Sequence, residues 1–302
     1  MLGGVTLAQI PVKPNFVAQE KYAGMCKQIE MVYTVDSIDD VMRRAFTALR
    51  NGPPGPVIVE LTADVCAQMV PAASQNYKSP VLSRAMPEPD MVAAAAKALI
   101  EAEMPVIWAG AGVLSAGATA ELHELAELIS TPVFTTMPGK SAIDERHPLA
   151  LGAGSGLTTL GVFRWLNESD VMIALGSSLT RTGYGQNLAG VRADKFKIHN
   201  TNDPDKIDKE EYADISLLGD AKLTIAALIE SVKAQTGGKG CGDRAKVEKE
   251  VAKCKKMWLC EPLSPRLASS CRHVRSHVDC MRAGITGTRC CTRTRSRSRT
   301  TA

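Results

Sequence analysis

From Asp90 to Glu230 the chain switches repeatedly between two hydrophobic periods. Short unbroken apolar runs, such as Val106-Ile107-Trp108-Ala109, alternate with stretches whose apolar residues recur at helical spacing. The pattern predicts helices over 90–102, 115–130, 158–167 and 221–233, and strands over 105–109, 132–135, 170–175, 195–200 and 215–218. Strands that are apolar at every position are buried on both faces. Their alternation with helices predicts an α/β fold, a doubly wound parallel sheet of Rossmann-like plan. Glycine and polar residues gather after the strands, at 110–112, 135–140, 176–181 and 201–203. In an open α/β sheet ligands bind at the carboxyl ends of the strands, so these segments are the candidate site.

Outside this region the pattern thins. Residues 1–35 show no clear period, and Pro11 and Pro14 argue for an irregular segment. Ser37 then stands where a helix cap belongs, and Ile38, Val41, Met42, Ala45, Phe46 and Leu49 fall on one stripe. Asn51-Gly52-Pro53-Pro54-Gly55 stops that helix, and Pro56 to Leu61 reads as a buried strand closed by Thr62-Ala63-Asp64-Val65. One helix and one strand make only a partial α/β piece, either an appendage of the main domain or the back end of another. Residues 67–87, rich in Pro and Ser without period, read as a linker, and 88–236 as the main domain. Gly237-Gly238-Lys239-Gly240 is a break, followed by a charged helix predicted over 243–256. From about Pro265 no hydrophobic period survives, and 292–302, TRTRSRSRTTA, has the composition of a disordered basic tail, so 237–302 is expected to be linker and tail.

Charge sharpens that division. The net charge is +4, but residues 255–302 hold 11 of the 36 Lys/Arg and 2 of the 32 Asp/Glu, leaving 25 and 30, a charge of −5, on residues 1–254. The body is mildly acidic, and no nucleic-acid partner is expected. There is no run of about 18 apolar residues, and the start lacks the basic and apolar regions of a signal peptide. Neither membrane association nor secretion is expected; a cytoplasmic location is, with an organelle left open. Cys26, Cys66 and Cys241 are scattered through the body, which fits a reducing compartment better than a disulfide framework.

The strand, glycine turn and helix around Gly110-Ala111-Gly112 form a unit in which backbone N–H groups and a helix dipole can face a phosphate. By itself the turn is a weak signal. The dinucleotide fingerprint needs G-x-G-x-x-G and an acid about 20 residues on. Here the glycines are Gly110, Gly112 and Gly117, and the second strand ends in Thr135-Thr136. A purely structural turn is the competing reading. His123 on a helix face, His147 before Pro148 and His199 at a strand end stand in no Ser/His/Asp context. Cys271, His273, His277 and Cys280 have zinc-ligand chemistry, but their spacing is too tight for a standard finger and no apolar framework surrounds them. The GAG turn also resembles that of NAD-dependent protein deacylases, whose catalytic histidine motif and four-cysteine zinc module have no counterpart in the body.

Taken in order, the pieces resemble the central domain of thiamine-diphosphate-dependent enzymes of the acetolactate synthase type. The resemblance runs through PVIWAGAGVLSAG (105–117), ELHELAELISTPVFTTMPGKSAIDERHPLALGAGSG (121–156), SDVMIALGSSLT (169–180) and KFKIHNTNDPDKIDKEEYADISLLGDAKLTIAALIE (195–230). In addition, DVMRRAFTALRNGPPGPVIVELTADV (40–65) looks like the last helix and strand of that family's pyrimidine-binding domain, so 1–66 is expected to be a remnant of it. The resemblance covers roughly two-thirds of the chain. It implies a 2-keto-acid carboligase or decarboxylase that binds thiamine diphosphate and Mg²⁺ and works as a homo-oligomer or in association with full-length relatives. In flavin-containing members the central domain holds FAD. Carried over by position, Gly110, Ala111 and Gly112 would approach the diphosphate, and Thr136, Met137 and Pro138 would lie along the cofactor. Gly154, Ser155 and Gly156 would form a second cradle, and Gly176 with Asn200, Thr201, Asn202 and Asp203 would lie near the adenosine end.

The sequence departs from that family in several places. The G-x-R-F turn is Gly176-Ser177-Ser178-Leu179, with Arg181 displaced, and the aspartate that often follows His-Ile is replaced by Thr201, although Asp203-Pro204 remain. The family's glutamate protonates the cofactor's aminopyrimidine, whose imino form then removes the thiazolium C2 proton. Glu20, Glu30 and Glu60 do not stand in its context, and its segment is expected upstream of Met1. The Gly-Asp-Gly and Asn-Asn motif that holds Mg²⁺ and the diphosphate is not matched; Gly219-Asp220-Ala221 and Gly242-Asp243-Arg244 come nearest. No catalytic or metal residue is assigned, and the chain is expected to be inactive on its own. The alternative is a stand-alone FAD- or ADP-binding or assembly domain. Pro262-Leu263-Ser264-Pro265 is expected to open the family's third domain, with a shifted reading frame beyond it accounting for the Arg/Cys/Ser/Thr bias.

Overall fold

Two parallel sheets organise the chain. The computed structural model describes residues 18–70, 77–154, 158–180 and 195–260. The first sheet pairs β1 (Gln28–Val32) with β2 (Val57–Leu61), in the register Glu30↔Val59, with α1 (Ala18–Tyr22), α2 (Ile38–Arg50) and α3 (Ala63–Cys66) around it. The predicted strand at 56–61 thus has its partner inside the stretch that reads as irregular. Gln-Ile-Glu-Met-Val is short, mixed in polarity and mostly half-buried, so it carries neither a strand nor a helix period. Ser37 is not a side-chain cap. Its Oγ donates to the Thr34 carbonyl (2.7 Å) in a short turn that leads into α2. The predicted stripe buries Val41 and Ala45, while Leu49 at its end is 46% exposed. Lys27 Nζ donates to the carbonyls of Ala48, Asn51 and Pro53, and so satisfies the end of α2 with a cation.

The second sheet has six parallel strands: β3 (Val106–Ala109), β4 (Val133–Thr135), β5 (Ala150–Ala153), β6 (Val171–Leu175), β7 (Phe196–Thr201) and β8 (Ile215–Leu218). Their spatial order is β5-β4-β3-β6-β7-β8. Successive residues of one strand serve opposite layers. Ile107, Ile173 and Ile198 pack with α4 (Pro89–Glu101), α6 (Thr119–Leu128) and α8 (Ala221–Thr236), through Leu99, Leu125 and Leu228 among others. Val106, Trp108 and Met172 pack on the other face with Val162 and Trp165 of α7 (Leu160–Glu168) and Val251 of α9 (Arg244–Cys260). The strands are apolar throughout because both faces are covered, and the doubly wound sheet is the one the pattern predicts.

Two local features differ from the sequence expectation. The helix expected over 115–130 is two helices, α5 (Ala111–Ser115) and α6. Gly117 at φ +65° ends the first, since the left-handed conformation cannot continue a helix. Strand β5 runs up to the expected second cradle at Gly154, and Gly152 at φ +98° and a register shift beside Val133 hide it from any period. Residues 1–251 form one compact unit, and the described part of 252–302 is the last turns of α9. Among the described residues no helix is long and apolar enough to cross a membrane.

Candidate functional site

Strand order reverses between β3 and β6: β4 and β5 extend to one side, β7 and β8 to the other. A crevice forms where two such halves meet, at the carboxyl ends of the central strands. Here the turns after β3 and β6 meet backbone to backbone. The Gly110 N–H donates to Leu175 O (2.8 Å) and the Gly112 N–H to Gly176 O (2.8 Å). A Cβ on Gly110 would lie 2.3 Å from Gly176 O, and one on Gly112 would lie 2.7 Å from Gly176 Cα. Gly176, at φ +56°, faces the Val113 nitrogen, 2.6 Å from where its own Cβ would be. These glycines let two turns interlock. Two of the N–H groups that the motif offers to a diphosphate are occupied by that contact.

Asn200, on β7 just below, binds protein with its whole amide. Its Oδ1 accepts from the Gly176 N–H (3.1 Å), and its Nδ2 donates to Leu217 O (2.9 Å), Gly219 O (3.1 Å) and Thr224 Oγ1 (3.1 Å). His199 points the other way along β7. Its Nε2 donates to Ser177 O (2.8 Å), a carbonyl that can only accept, so Nδ1 is the bare nitrogen, buried and with no partner among the described residues. Burial pushes the imidazole below its usual range, against smaller opposing effects of the Ser177 bond and Asp208. Both side chains hold the β6 turn to β7.

Above these turns opens a cleft of about 1080 Å³. Its floor is the strand ends: Gly110 to Gly112 after β3, Thr136 to Pro138 after β4, Gly176 to Ser178 after β6, Thr201 to Asp203 after β7 and Gly219 to Ala221 after β8. Its second wall comes from far away in sequence: Leu49, Arg50 and Gly52 to Pro54 at the end of α2, and Leu82 and Arg84 before α4. Asn202 Nδ2 donates to Gly52 O (3.2 Å) and ties the two walls together. Three cations line the space, Arg50, Arg84 and Lys206, against Asp203 and Asp220. Arg84 stands 3.6 Å from Asp220, whose Oδ1 also accepts from the Lys222 and Leu223 N–H groups and caps α8. Arg50 is held by Ser79 Oγ (2.8 Å) and Pro80 O (2.9 Å).

Of the residues singled out from sequence, Gly110, Ala111, Gly112, Thr136, Met137, Pro138, Gly176, Thr201 and Asp203 come together on the cleft. Asn200 lies beneath it. Gly154 is a packing glycine, where a Cβ would meet the Phe134 ring at 2.7 Å. Ser155, Gly156, Arg181 and the tail's Cys271, His273, His277 and Cys280 lie outside the described residues. Sequence reasoning missed Arg50, Arg84, Lys206 and the Gly52-Pro53-Pro54 turn. The only local signal for them is that a basic residue or a rigid turn interrupts an otherwise bland segment.

Residues 92–228 match the family model described as the thiamine pyrophosphate enzyme central domain. This region is a thiamine pyrophosphate enzyme central domain. Over 200 residues it is 34% identical to the "Probable acetolactate synthase large subunit" of Methanococcus aeolicus, covering 65% of this chain and 33% of that one. It is 28% identical to a pyruvate oxidase of Lactiplantibacillus plantarum over 65% of this chain and 31% of the oxidase. The fold also superimposes on benzoylformate decarboxylase of Polynucleobacter necessarius with a TM-score of 0.64 at 19% identity, over 79% of this chain and 43% of that enzyme. The chain therefore spans about a third of the length of the curated relatives it matches. Proteins named for a synthase and an oxidase share its central domain, so the domain does not by itself select a reaction.

Thiamine diphosphate enters by family. Among the described residues no group of three or more His, Cys, Asp or Glu stands together as a metal site. The cleft's donor set suits another kind of ligand: cations and small polar groups over an apolar floor, at the switch point of a doubly wound sheet.

Proposed function

We propose that the cleft takes the adenosine diphosphate part of a nucleotide, FAD included, and that this chain fills the central-domain role of an acetolactate synthase-like 2-keto-acid enzyme without performing carboligation by itself. The observation that carries the reading is the basic cleft at the switch point, closed on one side by the α2 turn and on the other by the strand ends. Arg84 is the cation suited to the diphosphate, because it stands beside the capped start of α8. The interlocked glycine turns supply a rigid floor in place of free N–H donors. A flat aromatic ring would lie along Met137 and Pro138, which are exposed on the cleft.

Assembly belongs to the same reading. The β1–β2 sheet has no further strand on either edge among the described residues, and parallel sheets are ordinarily covered. A second copy or a full-length relative would cover it. The test uses the purified full chain: its absorbance in the flavin bands, calorimetric titration with ADP and FAD, and acetolactate formed from pyruvate. We expect ADP to bind and no acetolactate to form. Failure of both nucleotides to bind would remove the first half of the proposal, and acetolactate from the chain alone would remove the second.

A further inference from the structure

The end of β7 carries information that nucleotide binding in general does not use. In a mononucleotide-binding half-sheet the second strand ends beside the ribose. A carboxylate there accepts hydrogen bonds from the ribose hydroxyls, whereas a nearby cation accommodates a phosphate on the ribose. Strands β6, β7 and β8 lie in that order on one side of the switch point, with the Gly176 turn after the first strand and Thr201 at the end of the second. Thr201 is neutral. The nearest cleft acid, Asp203, is engaged in its own loop: its Oδ1 accepts from the Asp205 N–H (3.1 Å) and caps the turn Pro204–Lys206. Its backbone N–H in turn donates to Thr201 Oγ1 (3.2 Å).

Two cations line the same cleft. Lys206 ends the capped turn and lines the cleft. Arg50 lines the opposite wall, which the bond from Asn202 to Gly52 holds against the end of β7. The Arg50 guanidinium rests on neutral acceptors and over the Phe46 ring at 5.8 Å. Neither it nor Lys206 pairs with a carboxylate among the described residues. Even with Asp203 counted against them, this end of the cleft is net positive, on a body that is net acidic. We infer that the cleft selects an adenine nucleotide carrying a phosphomonoester on its ribose, at the 2′ or 3′ oxygen, over one with free ribose hydroxyls, with Lys206 and Arg50 as the receiving cations. The inference rests on the nucleotide reading above and goes past it to the class of ligand.

Calorimetry of the full chain with four probes tests it: 5′-AMP, 5′-ADP, adenosine 2′,5′-bisphosphate and adenosine 3′,5′-bisphosphate. The comparison of weight is with 5′-ADP, which has as many phosphates as the bisphosphates but none at the 2′ or 3′ oxygen. One bisphosphate is expected to bind about tenfold more tightly than 5′-ADP, the scale of one charge-assisted contact. Which one wins distinguishes a 2′-phosphorylated source from a 3′-phosphorylated one. Lys206→Ala, and independently Arg50→Ala, should each remove most of that advantage. If 5′-ADP binds as well as both bisphosphates, the inference is overturned and the nucleotide reading stands. If none of the four binds, both fall. An advantage that survives both substitutions overturns the assignment to these residues.

Discussion

At the scale of single residues, the glycines of the candidate site differ in what they are for. Gly112 adopts a backbone that any residue could reach, yet its missing Cβ is what lets the Gly176 turn come within contact. Gly117 sits in open space and is needed only for its φ of +65°. Gly112→Ala should therefore destabilise the fold through overpacking against backbone that cannot rotate away, by about 1–3 kcal/mol with loss of the cleft floor. Gly117→Ala should cost only left-handed strain, roughly 1–2 kcal/mol, and leave nucleotide binding intact. Urea unfolding together with ADP titration of the two variants separates them. A Gly112→Ala protein that binds ADP like the parent would show that the turns need not interlock.

Elements come next, and here Asn200 is the joint. One amide links the turn after β6, the end of β8 and the first turn of α8, all of them floor to the cleft. Asn200→Asp keeps an acceptor for the Gly176 N–H but sets a buried carboxylate against the Leu217 and Gly219 carbonyls, with no donor left for either. An uncompensated buried charge of that kind costs on the order of 3–5 kcal/mol. The expected result is a large drop in the unfolding midpoint near neutral pH. An Asn200→Asp variant with the parent's midpoint would mean that β7 and β8 are held together without this amide.

For the whole molecule, His199 couples stability to pH. The fold keeps its imidazole neutral, with a proton affinity below that of the unfolded chain. As pH falls below about 6.5 the unfolded state takes up a proton that the folded state refuses, so stability is full above that pH and declines below it until the folded group also titrates. Ordinary carboxylates titrate nearer pH 4, so a decline between pH 6.5 and 5 belongs chiefly to histidine. His199→Gln can keep a donor to Ser177 O without a titrating ring. Chemical denaturation across that range should show a flatter profile for the variant than for the parent, and an unchanged slope would assign the effect elsewhere.

Much of the central sheet is legible in the amino-acid sequence because its cause is local. A strand buried on both faces must be apolar at every position, a helix on one face must repeat at its own period, and a turn that brings two backbones together must be glycine. Those rules determined the alternation from Asp90 to Glu230, the doubly wound plan and the polar and glycine-rich strand ends over which the cleft opens. They could not reveal β1 and β5, whose short polar or glycine-bearing runs become strands only because a neighbour offers them hydrogen bonds. Nor could they reveal that Asn200 is spent on protein, since an amide's partners are a matter of packing. The cleft's second wall is the clearest case. Asn202 and Gly52 are 150 positions apart, and no period or motif spans that distance. Only the packing of the α2 turn against the end of β7 puts Arg50 and Lys206 on one cleft.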